Sequence, residues 1–409
     1  MQVIHPRCAG LDVHQKQVVA CIRVVSRKKV VQEVRTFDTT TRDLLALSDW
    51  LASHGCTHVA MESTGVYWKP IWHVLDGAFE LVLANAMHIR NIPGRKSDVN
   101  DATWISDLLA HGLIRSSFVP PVQIQELRDL TRSRKQFVLE SARHVLRLQK
   151  VLEDANVKLT EILSDVMGKS GRAIIEALIS GETNPEVLAG LACGNRLKAT
   201  REEFVEALRG RVTPHHRFLL KLQLGQIDSL DSAVRELEVR MGEALSPFRE
   251  SAELLKTIPG VSDTVARVII AEVGLDMGRF PTSGHLISWA GLCPGMNESA
   301  GKRLSSRIRP GAPWLKTTLA QAAWAAIRTK GCYLRAQFHR LKSRRGPKKA
   351  IIAVAASMLT AVYYILKNHV PYRDLGFDHY DRIDKTKAAS RLVNKLKNLG
   401  FDVALSPAA

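Results

Sequence analysis

Four acidic residues near the start of the chain have the types and order that a divalent-metal site needs. Asp12 sits in Gly-Leu-Asp-Val inside a valine-rich run. Glu62 sits in Met-Glu-Ser-Thr-Gly, where a second apolar run ends at a strand-to-helix junction. Asp98 and Asp101 lie in Lys-Ser-Asp-Val-Asn-Asp-Ala. A charge at the heart of an apolar strand is costly unless it is paired or bound to a cation. Asp98 and Asp101, three apart at the start of a helix, are expected to project from one face. A lone strand-end acid or an Asp at a helix start is ordinarily structural, so it is the ordered conjunction that points to chemistry. Phosphoryl transfer uses two Mg2+ (or Mn2+) ions about 3.5–4 Å apart, and such hard cations take carboxylate oxygens from several elements.

A second group lies far downstream, in Trp-Ala-Gly-Leu-Cys-Pro-Gly-Met-Asn-Glu-Ser-Ala-Gly-Lys-Arg. It reads as a flexible loop that carries Ser299 just before Lys302 and Arg303. A serine hydroxyl that attacks a phosphodiester needs cationic surroundings, which those two residues could supply. On spacing alone Ser305 and Ser306 are equal candidates. Upstream, Glu253–Gly274 reads as helix, Ile-Pro-Gly-Val, helix. In this helix-hairpin-helix signature the turn around Gly260 and the following helix start can offer backbone N–H groups to a DNA phosphate.

Charge supports a polyanionic partner. The formal net charge is +18, and between Glu298 and Asp374 there are sixteen Lys and Arg but no acid. A solvated face normally interleaves acids, so a stretch this one-sided calls for nucleic acid rather than a membrane surface. Within it, Arg307, Arg309, Arg344, Arg345, Lys348 and Lys349 join Lys302, Arg303 and Gly260 as candidate nucleic-acid contacts. The six cysteines are scattered with no Cys-x-x-Cys pair, which excludes a disulfide framework or zinc knuckle and fits a reducing cytoplasm. No signal peptide is expected at the N-terminus. Ala350–Leu366 falls short of the roughly 20 apolar residues of a membrane span and reads as a buried core helix.

These groups need elements to position them. Residues 8–37 read as two valine-rich strands. A helix over Thr41–His54, the run His-Val-Ala-Met-Glu-Ser, a helix from Val66, the strand-like Glu-Leu-Val-Leu-Ala-Asn-Ala and a helix over Ser97–His111 follow. That alternation predicts a mixed α/β sheet with helices on its faces. Apolar residues then recur every three or four positions over about 122–163 and again over 218–245, as in an antiparallel coiled-coil arm. Between them, 168–214 is expected to hold only short helices. Helices are expected over Pro313–Lys330 and Lys348–Lys367, and a peripheral tail after Pro371.

The acids in this order, with Gly-Leu-Cys-Pro…Glu-Ser-Ala-Gly downstream, resemble the DEDD transposases, insertion-sequence recombinases related to the Piv-type DNA invertases. The resemblance covers about 1–115 and 250–370. It implies a RuvC-like (RNase H-like) mixed-sheet catalytic domain over 1–120, a helical coiled-coil arm over 121–249, a helical transposase domain with a helix-hairpin-helix over 250–375, and a tail over 376–409. Asp12, Glu62, Asp98 and Asp101 fall on the family's four metal-binding acids. Ser299 falls on the serine that becomes covalently linked to DNA, although here Ala300 separates it from Gly301. The resemblance further implies donor and target double-stranded DNA, a structured guide RNA, and a homo-oligomer (dimer or tetramer) held by the arm, in which one subunit's serine domain completes another's carboxylate site. It implies action in the bacterial cytoplasm at the nucleoid. Arg128, Arg132, Arg134, Lys135, Arg143 and Arg147 on the arm are compatible with RNA. Two rival readings are a metal-dependent junction nuclease using water, with Ser299 structural, and a non-catalytic DNA-binding protein.

Overall fold

The valine-rich N-terminal run folds as three strands rather than two: β1 (Arg7–Val13), β2 (Gln17–Ser26) and β3 (Lys29–Asp38). The polar His-Gln-Lys at 14–16 cannot continue a buried strand and turns the chain, with the His14 amide bonded to the Gln17 carbonyl at 3.0 Å. Helix α1 (Thr41–Ser53), capped by Thr40, leads to β4 (His58–Glu62). After α2 (Trp68–Leu75) come β5 (Glu80–Ala84), α3 (Ala86–Arg90) and α4 (Asp101–Ala110). The sheet order is β3-β2-β1-β4-β5, with β1, β4 and β5 parallel and β2 antiparallel to both its neighbours.

Strand alternation divides the sheet's two faces. Ala9, Leu11, Val13, Val59 and Met61 pack with Leu44, Leu47, Leu51, Ile71 and Leu75 of α1 and α2. The other face presents Cys8, Ala60 and Ala84 to Ile105, Leu108 and Leu109 of α4.

This computed structural model describes residues 2–26, 29–63, 65–90, 92, 100–192, 199–295, 297–305, 307–309, 311–383 and 385–404. The chain divides into two compact units, Met1–Pro120 and Pro121–Ala409.

In the second unit, α5 (Val122–Asp154) and α10 (Pro214–Ala244) run antiparallel. Their pairing is fixed by Arg134–Glu238, Ser141–Asp231, His144–Gln223 and Asp154–His216 contacts. Short helices α6 (Leu159–Ile162), α7 (Lys169–Ser180), α8 (Pro185–Gly190) and α9 (Arg201–Ala207) close over one end of that pair around a core shared with Leu148, Leu152, Leu220 and Leu224. Arg172 of α7 clamps Asp228 of α10 with two 2.7 Å bonds.

The remaining helices share another core with the opposite end of the pair. They are α11 (Arg249–Lys256), α12 (Asp263–Val273), α13 (Ser283–Trp289), α14 (Pro313–Ala326), α15 (Tyr333–Arg345) and α16 (Pro347–Asn368). Between α13 and α14, β6 (Asn297–Ser299) and β7 (Lys302–Ser305) form a hairpin. The tail adds α17 (His379–Ile383) and α18 (Lys385–Asn398). Helix α16 is long and apolar enough to cross a membrane. Its apolar side, from Ala350 through Leu366, is instead buried in the core.

Candidate active site

Asp12 stands next to last in β1, at the strand's end rather than its centre. It shares the α4 side of the sheet with Gly10 and Cys8, two and four residues back. Glu62 ends β4 on that same side, two residues after Ala60. Leu11 and Met61 are register partners in parallel strands, so Asp12 and Glu62 occupy the next rung.

Helix α4 runs antiparallel to β1 beneath this face. The Ile4 and His5 amides bond the Ala110 carbonyl, Cys8 Sγ reaches the Ser106 carbonyl, and Gly10 meets Ala102 and Ser106. The start of α4 therefore lies at the end of β1 that carries Asp12. Asp101 is its first residue, and Asn100 caps it by accepting the Ala102 amide at 2.8 Å.

Gly10 makes this approach possible. A Cβ there would stand 2.3 Å from the Ala102 carbonyl oxygen and 2.4 Å from the Ser106 amide nitrogen. Sequence reading passed over Gly10. It also passed over His14, whose Nε2 lies 3.2 Å from Asp12 Oδ2. Both flank Asp12 at a spacing of two, the only local signal that could have pointed to them.

Asp98 lies outside the described residues. Among the described residues, no three His, Cys, Asp or Glu side chains converge closely enough to hold a metal ion. What Asp12, Glu62 and Asp101 share is one face and one end of the sheet. Their oxygens are the hard donors that Mg2+ takes, so the donor set fits such an ion in kind.

Ser299 is not in a loose loop. It ends β6 and pairs with Lys302, the first residue of β7, across a two-residue turn. Ala300 (φ 49°) and Gly301 (φ 74°) both adopt the left-handed conformation that such a tight hairpin requires. Ala pays a steric cost there that Gly does not. Below the tip, the Gly295 amide bonds the Arg307 carbonyl, and the Arg309 amide bonds the Cys293 carbonyl, extending the ribbon downward. Its base closes where Gly311 abuts Gly291, with no room for a Cβ on either. Ser299, Lys302, Arg307 and Arg309 are exposed on this ribbon. Arg303 pairs in register with Glu298, and its side chain lies outside the described residues. Ser305 Oγ is taken by the Arg307 amide, and Ser306 lies outside the described residues.

The comparisons with known proteins match both halves of this geometry. A family model described as a transposase, of the DEDD IS110 type, matches residues 9–157, and one described as "Transposase IS116/IS110/IS902 family" matches residues 252–339. The chain belongs to the IS110 family of DEDD transposases. The first match spans Asp12, Glu62, Asp98 and Asp101, and the second spans Ser299. The five-stranded mixed sheet is consistent with the RNase H-like N-terminal domain of such transposases. A search of curated proteins gave no match.

Other candidate contacts in this transposase divide sharply. Arg344 and Arg345 end α15, Lys348 and Lys349 begin α16, and all four are exposed around the Gly346 elbow. Gly260, in the turn between α11 and α12, adopts φ 83° and faces α14, with the Ala322 carbonyl 2.4 Å from where a Cβ would lie. The adjoining start of α12 carries Asp263, which pairs with Lys256 at 2.8 Å. An acid at that position opposes a phosphate there.

On the arm, Arg132 grips the carboxylate of buried Glu272 with two bonds (2.8 and 2.9 Å), and Arg128 bonds the Ala271 and Glu272 carbonyls. Arg134 holds Glu238, and Lys135 lies over the Trp314 ring, where burial pulls its ammonium below the usual range. These four residues are engaged in packing α5 against α10, α12 and α14. Arg143 and Arg147 are exposed.

Proposed function

We propose that this transposase cuts and rejoins DNA through a covalent phosphoserine at Ser299, with Asp12, Glu62, Asp98 and Asp101 as its metal-holding acids. The observation that carries the reading is the presentation of Ser299: an exposed hydroxyl at the tip of a braced, basic ribbon, directly across from Lys302. In the reaction, Ser299 Oγ forms a bond to the phosphorus of a backbone phosphodiester. The bond from phosphorus to one sugar oxygen breaks, and that oxygen leaves with a proton. One phosphodiester replaces another, so a second DNA hydroxyl can reverse the step without an external energy source. Lys302 stabilises charge on the phosphate oxygens. Asp12 and Glu62, level with each other on adjacent strands, with Asp101 at the facing helix start and Asp98 near it in sequence, are the residues to hold Mg2+ or Mn2+. Such an ion, when bound, neutralises charge on the reacting phosphate.

The partners we propose are donor and target double-stranded DNA and a structured guide RNA. The exposed cations around Gly346 and at Arg143 and Arg147 support contacts to their backbones. We further propose that the transposase works as a homo-oligomer at the bacterial nucleoid.

The deciding experiment is a denaturing gel of the transposase with labelled, nicked DNA. A slow-migrating adduct that disappears in Ser299→Ala supports the covalent mechanism. Nicking at the normal rate in Ser299→Ala, with no adduct, assigns cleavage to water and refutes it.

A further inference from the structure

The two edges of the five-stranded sheet are treated differently. Alongside β5, Ala84 bridges to Ser116, and the Ser117 amide bonds the Leu83 carbonyl at 2.6 Å, so part of that edge is covered. The edge at β3 is open over ten residues and pairs only with β2 among the described residues. Long open edges are templates for pairing with another chain, and proteins usually blunt them with proline, lysine or bulges. β3 has no proline, its one lysine is its first residue, Lys29, and its register with β2 shows no shift. It does expose Val30, Val31 and Val34 at 46–52%.

The free hydrogen-bonding groups can be assigned. The Thr39 amide donates to the Lys16 carbonyl, so odd-numbered residues of β3 turn their backbone groups toward β2. By alternation, Val30, Gln32, Val34, Thr36 and Asp38 turn theirs outward. An antiparallel partner of the same sequence must therefore match even residues with even ones, which leaves few registers. A dyad at Glu33 sets Glu33 against Glu33, and one at Arg35 sets Arg35 against Arg35. Like charges directly opposite are unfavourable. A dyad at Val34 sets Val34 against Val34, Gln32 against Thr36, Val31 against Phe37, and Glu33 against Arg35 twice. Arg35 already bonds Glu33 within one chain at 2.7 Å, so the four charges would alternate around the dyad.

We infer that β3 is a self-association edge, on which a second copy of this chain pairs antiparallel about Val34 to give one continuous ten-stranded sheet. This does not depend on the reaction proposed for Ser299. It carries a geometric consequence for the carboxylates. Asp12 lies level with Val19, and Val19 with Thr36, two residues from the dyad. Five strand spacings and four residues of offset then separate the two copies of Asp12, by about 27 Å for a flat sheet, on the same face.

Disulfide trapping in the full-length chain tests the register, with Cys193 and Cys293 replaced by serine and Cys21, the register partner of Val34 on β2, replaced by alanine. Across a hydrogen-bonded antiparallel pair, Cα atoms stand about 5.5 Å apart, within disulfide reach. Val34→Cys should therefore give a disulfide-linked dimer on mild oxidation. Val30→Cys alone should not, because its two copies stand about 26 Å apart along the strands. The double variant Val30→Cys/Asp38→Cys should link. Val34→Lys, which sets two ammonium groups face to face, should raise the dimer dissociation constant at least tenfold by sedimentation. Failure of Val34→Cys to link overturns the inference. So does linkage of Val30→Cys as readily as Val34→Cys, which indicates aggregation without register.

Discussion

Ser299 and Lys302 are cross-strand partners on the last rung of the ribbon, separated only by Ala300 and Gly301. Directly opposed residues have Cβ atoms about 5 Å apart. The Lys302 side chain thereby springs from directly opposite the hydroxyl, without a long flexible loop to order first. Replacing Lys302 by Met keeps the side chain's apolar bulk and removes its charge. We expect Lys302→Met to slow adduct formation by about tenfold or more. Ser299→Ala should abolish the adduct while leaving DNA affinity within about twofold, since only a hydroxyl is lost. Timed quenching on denaturing gels measures the first effect and filter binding the second. An unchanged rate in Lys302→Met excludes a role for that charge.

The acids make a separate prediction. Asp12→Asn and Glu62→Gln keep shape and remove ligand charge at one rung of two adjacent strands. Both should lose strand transfer at ordinary Mg2+ concentrations while retaining the wild-type melting temperature. Their circular dichroism melts, run beside the gel assay, separate a lost ligand from a lost fold. Full activity of either variant rules out its place in the metal site.

Gly10 tests how the site is positioned. A methyl group there would overlap two backbone atoms of α4, at Ala102 and Ser106. Because backbone cannot rotate away, α4 must shift as a body, and Asp101 at its start must shift with it. Gly10→Ala should cost about 1–3 kcal/mol of stability and reduce strand transfer more than the instability alone explains. Thermal melts and activity assays at a temperature where the variant remains folded distinguish the two effects. Wild-type values for both would mean that α4 does not pack this closely on β1.

Much of this arrangement was legible in the sequence, and the failures have physical causes. The helix from Thr41, the strand ending at Glu62, the strand starting at Glu80 and the two long helices all follow from apolar periodicity. The run over residues 8–25 hid a turn because valine continues on both sides of His14–Lys16 and no Gly or Pro marks the break. This misplaced Asp12 at the centre of a strand. The Ser299 hairpin was obscured because Ala-Gly lacks the Asn-Gly or Asp-Gly signature of a tight turn. Arg128 and Arg132 looked free for RNA because their partner Glu272 is 140 or more residues away in sequence. Partners at that distance leave no trace in local spacing.

Glu272 should be a strong determinant of stability. Its side chain is 3% exposed, and Arg132 holds both its oxygens, with Arg128 alongside at 3.9 Å. Removing one member of a buried pair leaves the other charge uncompensated, which costs about 3–5 kcal/mol. Arg132 is about one-third exposed, so Glu272→Ala should fall near the lower figure. Calorimetry should show the second unit melting earlier, and Glu272→Gln should recover part of the loss by accepting one bond. A melting temperature within a degree of wild type in Glu272→Ala contradicts this account.

The elbow at Gly346 offers the clearest test of nucleic-acid contact by charge. Arg344 and Arg345 at the end of α15, and Lys348 and Lys349 at the start of α16, are all exposed with no acid nearby in sequence. Four cations that repel one another at a helix–helix junction cost stability unless a polyanion neutralises them. Each phosphate contact contributes about 0.9 to the slope of log K against log salt on duplex DNA. Lys348→Gln/Lys349→Gln should therefore flatten that slope by up to roughly two. Arg344→Gln/Arg345→Gln should do the same, and at low salt each pair should weaken duplex binding without altering sequence preference. The folded state should be unharmed or slightly more stable in both, because repulsion is relieved. Titrations at several salt concentrations give the slope directly. An unchanged slope in both double variants would mean that the elbow faces solvent in the complex, and that the contacts lie on the Ser299 ribbon instead.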